Sequence, residues 1–274
     1  MEELSKELIA PLLPKHPENA HKYSVGTLLC ITGSDRMTGA AILCAKGALL
    51  SGAGLIYQSS PAYALGILQS ALYEPVFLSN EQSAVKEYLK KAKAVVFGCG
   101  LEKSSHNTRL LEYILNECKI PVVIDASGIA MLDELVGTCI LGENVVLTPH
   151  EGEMARLTHK SVTNREAAVR EFCASSRATL VLKGKNTIIG KGDALFMNTT
   201  GSMAMAKGGY GDLLSGMMGS LLCQGLDTLS AAKAAVYLHG LAGDITAEKY
   251  TSFGAIPSLC TESIPEAFKR TYKQ

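Results

Sequence analysis

Short apolar runs of strand length, each ending in a polar or glycine-rich tail, recur along this chain: Thr27–Thr32, Leu55–Ser59, Ala94–Gly98, Pro121–Asp125, Asn144–Leu147 and Thr179–Lys183. They are apolar throughout rather than alternating, as a strand covered on both faces requires. Helical segments lie between and after them, at Ala40–Leu50, Ser83–Lys91, Asn107–Cys118, Thr163–Ser175, Leu213–Cys223 and Ser230–Lys249. Strand, polar loop and helix in repetition specify an α/β fold, a mostly parallel sheet with helices on both faces. After Lys183 the pattern changes. Thr187–Gly190 and Ala194–Met197, split by glycine and aspartate, read as a hairpin, so antiparallel strands follow in the C-terminal half. Residues 1–22 read as a short amphipathic helix on Leu4, Leu8 and Leu12, broken by Pro11, Pro14 and Pro17. No linker or shift in composition divides the chain, and residues 1–274 read as one domain.

Composition excludes some roles. Lys plus Arg equals Asp plus Glu at 26 each, which argues against a nucleic-acid or membrane-surface protein relying on net charge. At 47% hydrophobic and 19% charged, the chain can build a substantial core. The cysteines at 30, 44, 99, 118, 139, 173, 223 and 260 form no CxxC pair and no zinc-type cluster, and several sit inside apolar runs. That pattern fits reduced core thiols in a cytoplasmic protein. No stretch approaches the roughly 18 consecutive apolar residues of a membrane span, and the mixed-charge N-terminus does not read as a signal peptide.

In an open α/β sheet, ligands bind at the carboxyl ends of the strands, so those ends are the places to look. They carry Gly33-Ser-Asp, Gly98-Cys-Gly100, Asp125, Thr148-Pro-His150-Glu-Gly-Glu153 and Lys183-Gly-Lys-Asn186. No Walker A pattern occurs, and Gly98-Cys-Gly100 lacks the third glycine of the dinucleotide fingerprint. Further on, Gly208, Gly209 and Gly211 lead into Asp212 and an apolar run containing Ser215, Gly216, Gly219 and Ser220. A helix starting there would present free N–H groups and a dipole suited to phosphate. A carboxylate in such a cradle repels that ligand, which suggests a catalytic base; the competing reading makes Asp212 only an N-cap. Thr148, Pro149 and Glu151 read as a capped helix start, leaving His150 and Glu153 free for a ligand. Asp125 either holds a magnesium-bound water or caps a loop. Lys183 and Lys185 either meet nucleotide phosphates or are solvated. His239, in an apolar helix, reads as a core histidine, and core filling is the default for Met203, Met205, Met217 and Met218.

Together these motifs resemble the ADP- or ATP-dependent NAD(P)H-hydrate dehydratases of the ribokinase-like superfamily. The resemblance rests on Gly33–Ala41, Gly52–Gly54, Val122–Ala126, Leu147–Leu157, Val181–Thr187, Asn198–Gly216 and Ala235–Asp244. It implies a three-layer sandwich and repair of hydrated NADH and NADPH by phosphorylation of the C6 hydroxyl and elimination of phosphate. Asp212 matches the expected base. Ala40, Gly100, His150 and Asp212 match positions that meet the hydrated nucleotide. Lys183, Gly184, Lys185, Asn186, Thr187, Gly208, Gly209 and Gly211 match the nucleotide-binding segments. Mg2+ is implied, with Asp125 and Glu153 as candidates to hold it through water, and relatives also use K+. A homotetramer acting on small molecules, with no nucleic acid and no membrane, completes the expectation. Two departures stand out: Tyr210 where the family usually has threonine, and Cys99 where Gly-Pro-Gly is common.

Overall fold

The computed structural model describes residues 1–15, 19–135 and 137–272. Among the described residues ten strands form a single sheet: β1 (Glu2–Glu3), β2 (Thr27–Ile31), β3 (Leu55–Ser60), β4 (Val76–Ser79), β5 (Ala94–Phe97), β6 (Val122–Ile124), β7 (Val145–Leu147), β8 (Thr179–Leu182), β9 (Thr187–Lys191) and β10 (Ala194–Asn198). Their spatial order is β1-β10-β9-β8-β7-β6-β5-β2-β3-β4. All pairings are parallel except those of β9, which runs antiparallel to both β8 and β10. The mostly parallel sheet with a late hairpin is therefore as expected.

Successive residues of each central strand enter different cores. Leu28 and Cys30 of β2 join one cluster, with Val96 of β5 and the helices Thr38–Leu50, Tyr210–Cys223 and Thr228–Gly254. Leu29 and Ile31 join the other, with Phe97 and the helices Ser105–Glu117 and Arg165–Ser175. Because both faces are buried, neither shows the polar alternation of a half-exposed sheet. Helix Tyr210–Cys223 runs directly over β5 and packs backbone to backbone on helix Thr38–Leu50. A Cβ at Gly47 would lie 2.4 Å from the Leu213 carbonyl oxygen. Only a glycine admits that approach.

The N-terminus differs from expectation. Glu2–Glu3 is an edge strand beside β10, joined by Leu4 N–H donating to Met197 O at 2.8 Å. Lys6–Ile9 and the 3-10 turn Ala10–Leu12 follow, and Pro11 falls in the first turn of the latter. Two residues are too few to show a period, and Leu4 is buried under the sheet edge rather than on a helix stripe. Pro17 lies outside the described residues. The helix Ala62–Ala71 and strand β4 also have no counterpart in the sequence reading. Among the described residues, no helix is long and apolar enough to cross a membrane.

Candidate active site

From β2 the chain moves outward to β3 and β4, then returns to place β5 on the other side of β2. That reversal opens a crevice at the carboxyl ends of β2 and β5, where α/β sheets bind ligands. Gly33 N–H donates to the Cys99 carbonyl at 2.8 Å across it. Gly100 faces Ala40, so closely that a Cβ on the glycine would lie 2.6 Å from the Ala40 Cβ. These two expected substrate positions therefore share one wall.

The charged part of the site is built by β6, β8 and the start of helix Tyr210–Cys223. Asp125 follows β6 and is fully buried. Its Oδ1 accepts from Lys183 Nζ at 2.6 Å and from Ala126 N–H at 2.8 Å, and its Oδ2 from Ser215 Oγ at 2.8 Å. Burial disfavours the Asp125 carboxylate, but Lys183, Ser215 and Thr148 outweigh it and hold the group below its ordinary range. Lys183, pulled down by its own burial, is held above its ordinary value by Asp125 and Glu153. Ala126 takes φ +48, an uncommon and costly conformation for alanine, beside these carboxylate contacts.

Gly211 lies against this pair. A Cβ there would stand 3.4 Å from Lys183 Nζ and 3.5 Å from Asp125 Oδ2. Gly209, with φ +103, caps the helix in a left-handed conformation, and the space around Gly208 is open. Asp212 consequently occupies the third helical position rather than the N-cap, and the reading of it as a mere cap falls away. Its side chain is half-buried. Burial first and the Asp125 charge second push its carboxyl up to about 6, against the opposing pull of Cys99 and Lys183. The Tyr210 ring is buried and meets the His239 ring edge-on, with centroids 5.7 Å apart. His239 is itself a core residue, with burial holding its imidazole near 4.

The expected cap at Thr148, Pro149 and Glu151 is displaced by two residues. His150 is the N-cap and Glu153 closes the box: Glu153 N–H donates to His150 Nδ1 at 3.1 Å, and His150 N–H to Glu153 Oε2 at 2.9 Å. The Pro149 carbonyl cannot join the helix because it accepts from Lys183 N–H at 2.8 Å. Glu153 thus faces both His150 and Lys183, with Oε2 3.8 Å from Lys183 Nζ. His150 itself stays exposed at the rim.

Gly184, Lys185 and Asn186 form the exposed turn between β8 and β9, and Thr187 Oγ1 donates to the Gly184 carbonyl at 3.0 Å. Arg165 clamps this turn, donating to the carbonyls of Leu182 (3.0 Å), Lys185 and Asn186 (3.3 Å) and pairing with Glu151 at 3.2 Å. From the sequence alone Arg165 carries no role, and Ser215 stands out only as one of the small residues in the apolar run after Asp212. Ser215 sits three residues beyond Asp212 on one helix face, which is the only trace of its role. Among the described residues no group of three or more His, Cys, Asp or Glu could hold a metal ion by itself. A cavity of about 700 Å³ against Leu132, Met154, Leu157 and Phe172 is lined by none of Asp125, His150, Glu153, Lys183, Asp212 and Ser215.

A family model described as NAD(P)H-hydrate dehydratase matches residues 28–266. The chain is 36% identical over 240 residues to the ADP-dependent (S)-NAD(P)H-hydrate dehydratase of Neisseria meningitidis serogroup B, covering 84% of this chain and 80% of that protein. It superposes on a ribokinase-like superfamily protein from Enterococcus faecalis with TM-score 0.92 and 27% identity, covering 100% of this chain and 97% of that one. It also superposes on the ADP/ATP-dependent NAD(P)H-hydrate dehydratase of Bacillus subtilis, co-crystallized with ATP and Mg2+. The TM-score is 0.86, with 28% identity over 98% of each chain. With the sheet order, the switch-point crevice and the family model in agreement, this chain belongs to the NAD(P)H-hydrate dehydratase family, on a ribokinase-like fold.

Proposed function

We propose that the protein restores NADH and NADPH from their (S)-hydrates at the expense of ADP or ATP. The observation that carries this reading is Asp212: a half-buried carboxylate in the first turn of a glycine-capped helix, pushed up to about 6 by burial and by Asp125. A base need only match the hydroxyl as it acidifies on attack, and a carboxylate near 6 is better suited than one near its ordinary value.

Asp212 takes the proton of the C6 hydroxyl as the oxygen attacks the terminal phosphorus of the nucleotide, and the bridging P–O bond breaks to release AMP from ADP or ADP from ATP. The phosphorylated hydrate then expels phosphate from C6 and loses its C5 proton to water, which forms the C5–C6 double bond and restores the dihydronicotinamide. Phosphoryl transfer asks the protein mainly for positioning and neutralisation of charge. Gly208, Gly209 and Gly211 with the helix N–H groups receive the phosphates, and Lys183 supplies a fixed cation beside them. The turn Gly184, Lys185, Asn186 and Thr187, clamped by Arg165, meets the rest of the nucleotide. Ala40, Gly100 and His150 line the substrate side. Asp125 and Glu153, already engaged by protein partners, would hold Mg2+ only through water, and the ion would supply further neutralisation of the phosphates. The reading places the enzyme in the cytoplasm as a homotetramer.

Incubating the protein with chemically hydrated NADH and either ADP or ATP tests this. The dihydronicotinamide absorbance returns if the proposal holds. Accumulation of a stable phosphorylated product instead would make the protein a small-molecule kinase.

A further inference from the structure

Three backbone carbonyls converge on the Lys207 ammonium, one residue before the first glycine of the phosphate loop. Its Nζ donates to the carbonyls of Ala204 at 2.7 Å, Ser252 at 2.8 Å and Ala255 at 2.8 Å. These acceptors belong to two separate segments. Ala204 lies in the 3-10 turn Met203–Met205, which Lys207 also meets through its own N–H, donating to the Met205 carbonyl at 2.8 Å. Ser252 and Ala255 follow a break in the long helix Thr228–Gly254, where Thr251 takes φ +61 and ψ 168. A β-branched residue is strained in that conformation, which persists only where the surroundings hold it. Just beyond the break, Pro257 packs on the phosphate loop: a Cβ at Gly209 would lie 3.1 Å from the Pro257 Cγ. Lys207 therefore ties the turn before the glycines to the segment packed against them.

Carbonyl oxygens aimed at one point repel one another unless a cation lies between them. Potassium is held in this way by carbonyl-lined sites, and an ammonium with three N–H donors satisfies three such oxygens. We propose that Lys207 is a built-in monovalent cation and a positioning residue: its ammonium fills a carbonyl cage that would otherwise take K+, and so fixes Gly208 and Gly209 for the nucleotide phosphates. This rests on reading those glycines as the phosphate site. The K+ that the family resemblance implies does not fit in this cage, because the three carbonyls are already engaged. Nucleotide binding is accordingly independent of K+. A lysine that merely closed a helix end would lower stability on removal without any specific response to K+.

The experiment compares the full chain as wild type, as Lys207→Ala, which opens the cage, and as Lys207→Met, which fills it with an uncharged chain. Binding of ADP or ATP with Mg2+ is measured by calorimetry in potassium chloride and in N-methylglucamine chloride of equal ionic strength. Melting is followed in the same buffers. Wild type is expected to bind equally in both. Lys207→Ala is expected to bind about 10- to 100-fold more weakly in N-methylglucamine and to recover as K+ is raised. Lys207→Met is weakened alike and recovers in neither salt. Wild-type affinity that depends on K+, or a Lys207→Ala that K+ neither tightens nor stabilises, overturns the proposal. If Lys207→Ala is unfolded without K+, melting decides: a rise in Tm specific to K+ upholds the proposal, and the same Tm in both salts overturns it. Failure of wild type to bind ADP or ATP overturns the phosphate-site reading itself, whereas wild-type affinity retained by Lys207→Ala without K+ overturns only the role of Lys207.

Discussion

Gly216 rests on the backbone of Cys44, so close that a Cβ on the glycine would lie 1.9 Å from the Cys44 carbonyl oxygen. The contact joins helix Tyr210–Cys223 to helix Thr38–Leu50 and sets where the first turn of the former, with Asp212, meets the sheet. Gly216→Ala must push the helices apart. Denaturant unfolding is expected to show a loss of about 3 kcal/mol or more, with turnover falling because Asp212 moves with its helix. A variant as stable and active as wild type would show that this crossing does not position the site.

The Asp125–Lys183 pair is nearly buried, and half of it cannot be left behind cheaply. Lys183→Met strands the Asp125 carboxylate and is expected to cost about 3 kcal/mol in urea unfolding, besides weakening nucleotide binding. Adding Asp125→Asn to Lys183→Met should recover much of the stability and none of the binding. If the double variant is less stable than Lys183→Met, the pair is not coupled in this way.

The wild-type pH profile carries a prediction of its own. Asp212 works when ionised and its carboxyl sits at about 6, so kcat/KM should rise with pH through that value and level off above it. An acid limb near the ordinary carboxylate value of about 4 would mean that burial does not tune this base.

The same elevation makes Asp212 a cost to the fold. Its carboxyl binds a proton more tightly folded than unfolded, so its contribution to stability is present at low pH and lost as pH rises through about 6. Asp212→Asn should therefore be more stable than wild type near neutrality and above, by about 1–3 kcal/mol. The difference should shrink below about pH 4, where Asp212 is protonated in both states. Thermal melts of both proteins across that range check the sign.

Much of the architecture was legible because burial on both faces writes itself into β2, β5, β6, β7 and β8 as unbroken apolar runs. The hairpin of β9 and β10 showed itself through the turn at Gly192 and Asp193. Strand ends mark Asp125, Lys183 and His150 as candidates from the residues alone. What stayed hidden depends on tertiary placement. Glu2–Glu3 becomes a strand only because β10 offers an edge, and the helix cap moved to His150 because Lys183 claims the Pro149 carbonyl. Ser215 and Arg165 look like ordinary helix residues until Asp125 and the β8–β9 turn are brought against them.

Single-turnover kinetics of Asp212→Asn on hydrated NADH with ADP or ATP show whether the Asp212 carboxylate removes the substrate proton. Nucleotide binding is expected to stay normal while regeneration of dihydronicotinamide slows by about 10²–10⁴-fold. Regeneration at the wild-type rate in that variant would mean that another group takes the proton.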